Sequence, residues 1–356
     1  MDNLILFLLA LIPASLGVYF VYERIRGGAN AVDQKTYIEG LRALLNDDDR
    51  TAFTKLRQVV STDTSNVDAY LLIGDIFRRN GKPERALQIH QDLSVRHDLD
   101  LQQRSNVFRA ITSDYLELGD HAAAARALQQ YNEIGPGSAW GLETLLSIQE
   151  KSGEWENALA TAEKLLKVRG EMSRKPLAAY KVEIGQQFAD KAEYHQARLV
   201  FKEAIALDET CAEAYIRIGD TYMKEKRIED AIGIWKRMVS NVPEKSGPTL
   251  DRLEKALFEV GKFGEIEDIC RMVIRLDPNN LEARMKLAAY FAKKSDFDSA
   301  EEQLIYALEN NSDSYLPALE LARLYLKSKK EDKIHNLIGM IERKEKKESS
   351  EVVTTG

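Results

Sequence analysis

Residues Cys211–Glu244 read CAEAYIRIGDTYMKEKRIEDAIGIWKRMVSNVPE, and this stretch decides the fold. Tyr215, Ile218, Gly219 and Tyr222 recur at helical spacing, as do Ala231, Ile234, Trp235 and Met238. The polar run Lys224–Arg227 lies between the two sets, and Pro243 stands where the second helix should have ended. Two amphipathic helices of this length cannot hide their apolar faces against each other alone, so the hairpin needs neighbours.

The rest of the chain supplies them. A small residue beside an apolar run recurs in the second helix at Ala52, Ala86, Ala124, Ala158, Ala197, Ala231 and Ala300. Ile266 and Ile334 hold the same slot in two weaker copies, and the successive spacings are 34, 38, 34, 39, 34, 35, 34 and 34. A period of 34 with one helical hairpin per copy is that of the tetratricopeptide repeat. Gly74, Gly185 and Gly219 sit where a first helix approaches its second closely. Phe77, Phe188, Tyr222, Phe291 and Tyr325 form a further register set. The fold class expected is all-α: a tetratricopeptide repeat (TPR) superhelical solenoid of about nine helical hairpins over residues 34–342. Short insertions are expected near Leu99–Gln103 and Arg169–Lys175, where the longer steps fall.

One transmembrane helix is expected ahead of the solenoid, within residues 1–26. Leu4–Tyr22 is 19 residues without a charge, including Leu4, Phe7 and Leu11, with Tyr19 and Tyr22 at one end. That length just crosses a hydrocarbon core of about 30 Å. The start lacks the basic residues of a cleaved signal peptide. Arg24 and Arg26 follow, so the positive-inside rule puts the repeats in the cytoplasm; a periplasmic solenoid would place both arginines on the wrong side. Residues 27–33 read as a linker and 343–356 as a charged, disordered tail.

Composition narrows the function. A net charge of −7 without a basic, aromatic-interleaved stripe argues against nucleic-acid binding. Cys211 and Cys270 form neither a disulfide framework nor a metal pattern, and both read as buried. His90 falls at a core-packing slot and reads as a hydrogen-bonded core residue. The aspartates at 47–49 read as caps for the helix after them. No nucleophile elbow, phosphate loop or metal motif occurs. The expectation is a binding module, with no catalytic residue, cofactor, metal or small-molecule substrate.

Helical register puts Asp68, Leu71, Asp75 and Arg78 on the concave face in the second repeat, and Glu213, Ile216, Asp220 and Lys224 there in the sixth. Repeat arrays present partners to that surface. Asp75 and Arg78 also read as a plain solvated pair, and the sequence leaves the two open. On the binding reading, Arg78→Glu weakens partner capture and leaves melting unchanged.

Several stretches resemble LapB, the lipopolysaccharide assembly protein B family of Gram-negative inner membranes. They are the N-terminal apolar segment, Tyr37–Leu41, Asn66–Arg78 with Asn80-Gly81, Arg85–Gln91, Gln103–Tyr115 and Ser152–Leu159. The resemblance is strongest over about residues 1–170. It implies a single-pass inner-membrane adaptor with cytoplasmic repeats. Such an adaptor helps the membrane protease FtsH degrade the deacetylase of the lipid A pathway and contacts lipopolysaccharide assembly proteins. The family's usual rubredoxin-like module carries two CxxC pairs; this sequence has neither, so no metal ligand is carried over. A general TPR scaffold for another envelope complex (cell wall, pilus or secretion) fits the same fold and anchor.

Overall fold

The computed structural model describes residues 34–311, 314–330 and 332–342. The expected membrane span, the linker and the charged tail lie outside the described residues. Among the described residues, no helix is long and apolar enough to cross a membrane.

Helices follow one another throughout. They are α1 (34–45), α2 (Asp49–Thr62), α3 (Val67–Arg79), α4 (Pro83–Ser94), α5 (Leu101–Glu117) and α6 (His121–Ile134). Next come α7 (Ala139–Lys151), α8 (Trp155–Arg169), α9 (Leu177–Asp190), α10 (Tyr194–Leu207), α11 (Ala212–Lys224) and α12 (Ile228–Asn241). A 3₁₀ turn at Pro243–Lys245 leads to α13 (Gly247–Glu259), α14 (Glu265–Leu276), α15 (Leu281–Lys293), α16 (Phe297–Asn310), α17 (Leu316–Lys327) and α18 (332–342). Two compact units divide this array. The boundary falls inside α8, whose Trp155–Leu159 groups with the second unit.

The same turn recurs in all nine copies. Asp47, Gly81, Gly119, Gly153, Ala192, Lys226, Gly261, Ser295 and Lys329 all have φ between 55° and 74°, the left-handed region. Each lies five residues ahead of the small-residue slot, so the spacing of the two sets is identical. The backbone N–H of the next residue reaches back five positions. Arg227 thus donates to the Tyr222 carbonyl at 2.9 Å, and the nine such bonds span 2.8–3.0 Å. This is the Schellman closure, which satisfies a carbonyl left open at the helix end. Phe77, Phe188, Tyr222, Phe291 and Tyr325 are five of the nine acceptors, which accounts for their register.

Closure delivers the second helix onto the first at close range. Ala52, Ala86, Ala124, Ala158, Ala197, Ala231 and Ala300 have no exposed surface. Ile266 is buried and Ile334 half-buried, as weaker copies of the slot should be. Sixteen residues after each helix-one glycine a large side chain fills the vacant Cβ position. A Cβ on Gly74 would lie 2.2 Å from His90 Nε2, one on Gly185 2.5 Å from Phe201, and one on Gly219 2.1 Å from Trp235 Nε1. No real Cβ approaches so closely, which is why these positions need glycine.

The remaining local signals act as the sequence suggests. The Asp48 side chain accepts from the Thr51 N–H, and Pro83 opens α4. Ser138 caps α7 after the breaker Gly135–Gly137. Leu101–Gln103 opens α5, the longest helix among the described residues, whose capping box joins Asp100 and Gln103. Cys270 is buried, whereas Cys211 is only partly so, at the N-cap of α11.

Glycine-to-alanine exchange inside a helix ordinarily stabilises by about 0.5–1 kcal/mol. At Gly219 the sign should reverse, with a loss of about 1–3 kcal/mol from overpacking against Trp235. Ala192→Gly should instead gain about 0.5–1 kcal/mol, since an L-residue pays to sit left-handed. Urea unfolding followed by circular dichroism measures both. Equal signs for the two variants would contradict this account of the turn.

Candidate functional site

The first unit carries a cavity of about 460 Å³ lined from α1, α3, α5 and α7. Asp68, Leu71, Asp75 and Arg78 of α3 all line it, so the structure brings the four residues of the second repeat together. Leu71 is only 8% exposed, however, and belongs to the floor rather than to an open face.

The floor is organised by a buried acid. Asp114 of α5 has no exposed surface, and both its oxygens are held. Arg78 Nη1 donates to Oδ1 at 2.8 Å, and His90 Nδ1 meets Oδ2 at 2.5 Å. His90 Nε2 lies 3.2 Å from the Leu71 carbonyl, which can only accept. Both ring nitrogens of the fully buried His90 therefore face acceptors, and a proton sits between the imidazole and Asp114. Arg78 also pairs with Asp75. Burial works against the Arg78 charge, but Asp75 and Asp114 outweigh it and raise its pKa. Asp75 and Arg78 are thus more than a solvated pair, because Arg78 carries the network from a buried carboxylate to the cavity wall.

Two charges in the cavity stand apart from the network. Asp68 is exposed and has no ion-pair partner among the described residues; after burial, its carboxylate is the second influence raising the Tyr37 hydroxyl. Arg109 of α5 is exposed, and its guanidinium lies over the Trp140 ring, 4.8 Å from the centroid. Tyr131 buttresses that ring edge-on at 4.8 Å. A stack of this kind contributes about 0.5–1 kcal/mol and leaves the edge N–H groups free to bind a carboxylate. The cavity therefore presents a negative group on α3, a positive one on α5, and apolar surface from Leu72, Ala110 and Trp140.

The second expected cluster is less unified. Asp220 and Lys224 line a cavity of about 320 Å³ in the second unit, but Glu213 and Ile216 are not among its lining residues. Glu213 pairs with Arg217 at 2.6 Å on its own helix. Ile216 is 7% exposed, so the concave-face placement is corrected. Its side chain is packed inside, and its carbonyl accepts from Trp235 Nε1 at 3.3 Å. Asp220 is committed to Arg252 of the next hairpin, at 2.9 Å.

Sequence reasoning missed Asp114, Arg109 and Trp140. One signal existed for Asp114: His90 occupies the slot filled by Phe201 and Trp235 elsewhere, and an imidazole there requires a buried partner. Neither cysteine is a reactive centre. Burial pushes the Cys270 thiol up to about 12 and raises Cys211 as well.

Known proteins share sequence similarity with this chain. Family profiles described as tetratricopeptide repeat match residues 182–245 and 69–105. Lipopolysaccharide assembly protein B of Escherichia coli (strain K12) is 24% identical over 311 residues, covering 86% of this chain and 79% of that protein. Its namesake from Haemophilus influenzae is 24% identical over 317 residues, covering 85% and 79%. Among solved structures, the C-terminal part of a TPR repeat-containing protein from Cytophaga hutchinsonii covers 79% of this chain and 97% of its own. Its identity is 13% and its TM-score 0.41. The chain carries tetratricopeptide repeats and is built of helical hairpins. The family that it fits is that of lipopolysaccharide assembly protein B.

The Arg78 network changes what its variants should do. Arg78→Glu sets a second carboxylate against the buried Asp114. It should cost about 3–5 kcal/mol, as breaking a buried pair does. Asp68→Lys, at an exposed unpaired site, should stay within about 0.5 kcal/mol of the wild type. Urea denaturation compares them, and an unchanged midpoint for Arg78→Glu would contradict the structural role.

Proposed function

We propose that this chain is an adaptor in lipopolysaccharide assembly that captures protein segments in the first-unit groove. The observation that carries the reading is the similarity to lipopolysaccharide assembly protein B across 86% of the chain. That span reaches well beyond the two stretches matched by repeat profiles alone.

In this proposal Leu4–Tyr22 anchors the chain in the bacterial inner membrane and the repeats face the cytoplasm. The partners are the membrane protease FtsH and the deacetylase of the lipid A pathway. Asp68 and Arg109 set the polarity of the captured segment, a basic group toward α3 and an acidic group toward α5. Asp75 and Arg78, already satisfied by each other and by Asp114, hold the floor rigid between them. A charge-assisted hydrogen bond contributes about 1.5–3 kcal/mol, so two such ends suffice for a reversible encounter. Anchoring confines both partners to one surface and raises their effective concentration there. Degradation then follows from proximity, with no bond made or broken by the adaptor.

Depleting the protein from its host and following the deacetylase half-life tests this function. The half-life should lengthen several-fold. A chain carrying Asp68→Lys and Arg109→Glu should fail to restore it while losing no more stability than the Arg109–Trp140 stack supplies, about 1 kcal/mol. An unchanged half-life on depletion would contradict the adaptor role. Full rescue by the double variant would contradict the groove's part in it.

A further inference from the structure

A separate groove runs along α13, α15 and α17 in the second unit. Two adjoining cavities, of about 910 and about 450 Å³, share Met285, Ala289 and Leu316. The floor is apolar and stepped. Ala288, Ala289 and Ala292 keep it low, Met285 can reshape, and Leu316 at the start of α17 is 49% exposed. Low alanine steps leave room for a partner's main chain, and a half-exposed leucine offers it an anchor.

The rim is basic on a chain that is acidic overall. Arg252, Lys255 and Lys286 line the larger cavity, and Lys293, Arg323 and Lys327 the smaller. Only three acidic residues line the pair of cavities, although the chain as a whole carries a net charge of −7. Four of the six basic groups are engaged. Lys286 is held by Asp251 at 2.7 Å and Glu254 at 2.6 Å, Lys293 by Glu254 at 3.1 Å, Arg252 by Asp220 at 2.9 Å, and Arg323 by Glu320 on its own helix. Among the described residues the other two have no ion-pair partner: Lys255 is exposed, and Lys327 reaches the Ala292 carbonyl at 3.4 Å. With six basic lining residues against three acidic ones, the rim favours an acidic ligand on a chain whose net charge is −7.

We propose that this groove binds an acidic, amphipathic segment of a partner protein. Its apolar side chains rest on Met285 and Leu316, and its carboxylates meet Lys255 and the rim around it. The apolar floor under a basic rim favours a peptide over a small anion, which would leave Leu316 and the alanine steps uncovered. No residue of the first-unit groove takes part, so either site can fail while the other stands.

Fluorescence anisotropy on the full-length protein in detergent tests it. The probes are a labelled peptide alternating pairs of Leu and Glu, and its counterpart with Lys for every Glu. The Glu peptide should bind, weaken as salt rises, and outcompete the Lys peptide. Lys255→Glu and Leu316→Ser, both at exposed sites, should each lower its affinity about fivefold with melting unchanged. Equal binding of the two peptides, or unaltered affinity in both variants, would overturn the proposal. So would binding of short-chain phosphatidylglycerol at this groove without the Glu peptide, which would assign the surface to an anionic lipid.

Discussion

Everything in this chain depends on reversing direction within a few residues, once per repeat. A left-handed residue ends the first helix, and the next N–H bonds back five positions. The small-residue slot then falls five places on, against the first helix. That geometry fixes how near the two helices come. Nearness in turn demands glycine where a ring from the second helix lies against the first, as at Gly185 under Phe201 and Gly219 under Trp235. Stacking of neighbouring hairpins follows, and with it a surface formed by the first helices.

The second repeat turns this packing rule toward function. Its ring is an imidazole, so the slot that is apolar elsewhere must be satisfied by hydrogen bonds. His90 meets the Leu71 carbonyl much as Trp235 meets that of Ile216, and its other nitrogen calls for Asp114 on the next hairpin. A buried carboxylate with one neighbour would be costly, and Arg78 supplies the second. The core of two hairpins is thereby tied to the wall of the groove above it. In the second unit, ion pairs between successive hairpins, Asp220 with Arg252 and Glu254 with Lys286, link the first helices, and the buried Arg198 reaches Glu225 at 2.8 Å.

The repeat was legible because spacing alone betrays it: the alanines mark the second helices, and all seven are fully buried. The turn was legible only in part. Gly81, Gly119, Gly153 and Gly261 are ordinary residues for a left-handed position, but Asp47, Ala192, Lys226, Ser295 and Lys329 are not. There the hairpin's packing overrides local preference. Leu71 and Ile216 were placed on the concave face because helical register cannot say how closely the next hairpin covers it. Asp114 escaped because its partners are 24 and 36 residues away, and nothing local distinguishes it from a solvated aspartate. Trp140 and Arg109 meet only once α5 and α7 are placed together.

The central claim is that the first-unit groove holds the partner, and photocrosslinking in living cells tests it most directly. A photoreactive amino acid would replace Asn106 in the groove and, in a second strain, Gln58, an exposed residue of α2 that is not among the groove's lining residues. The account predicts a crosslink to the lipid A pathway deacetylase from position 106 and none from position 58. Crosslinks from 58 with none from 106 would contradict it.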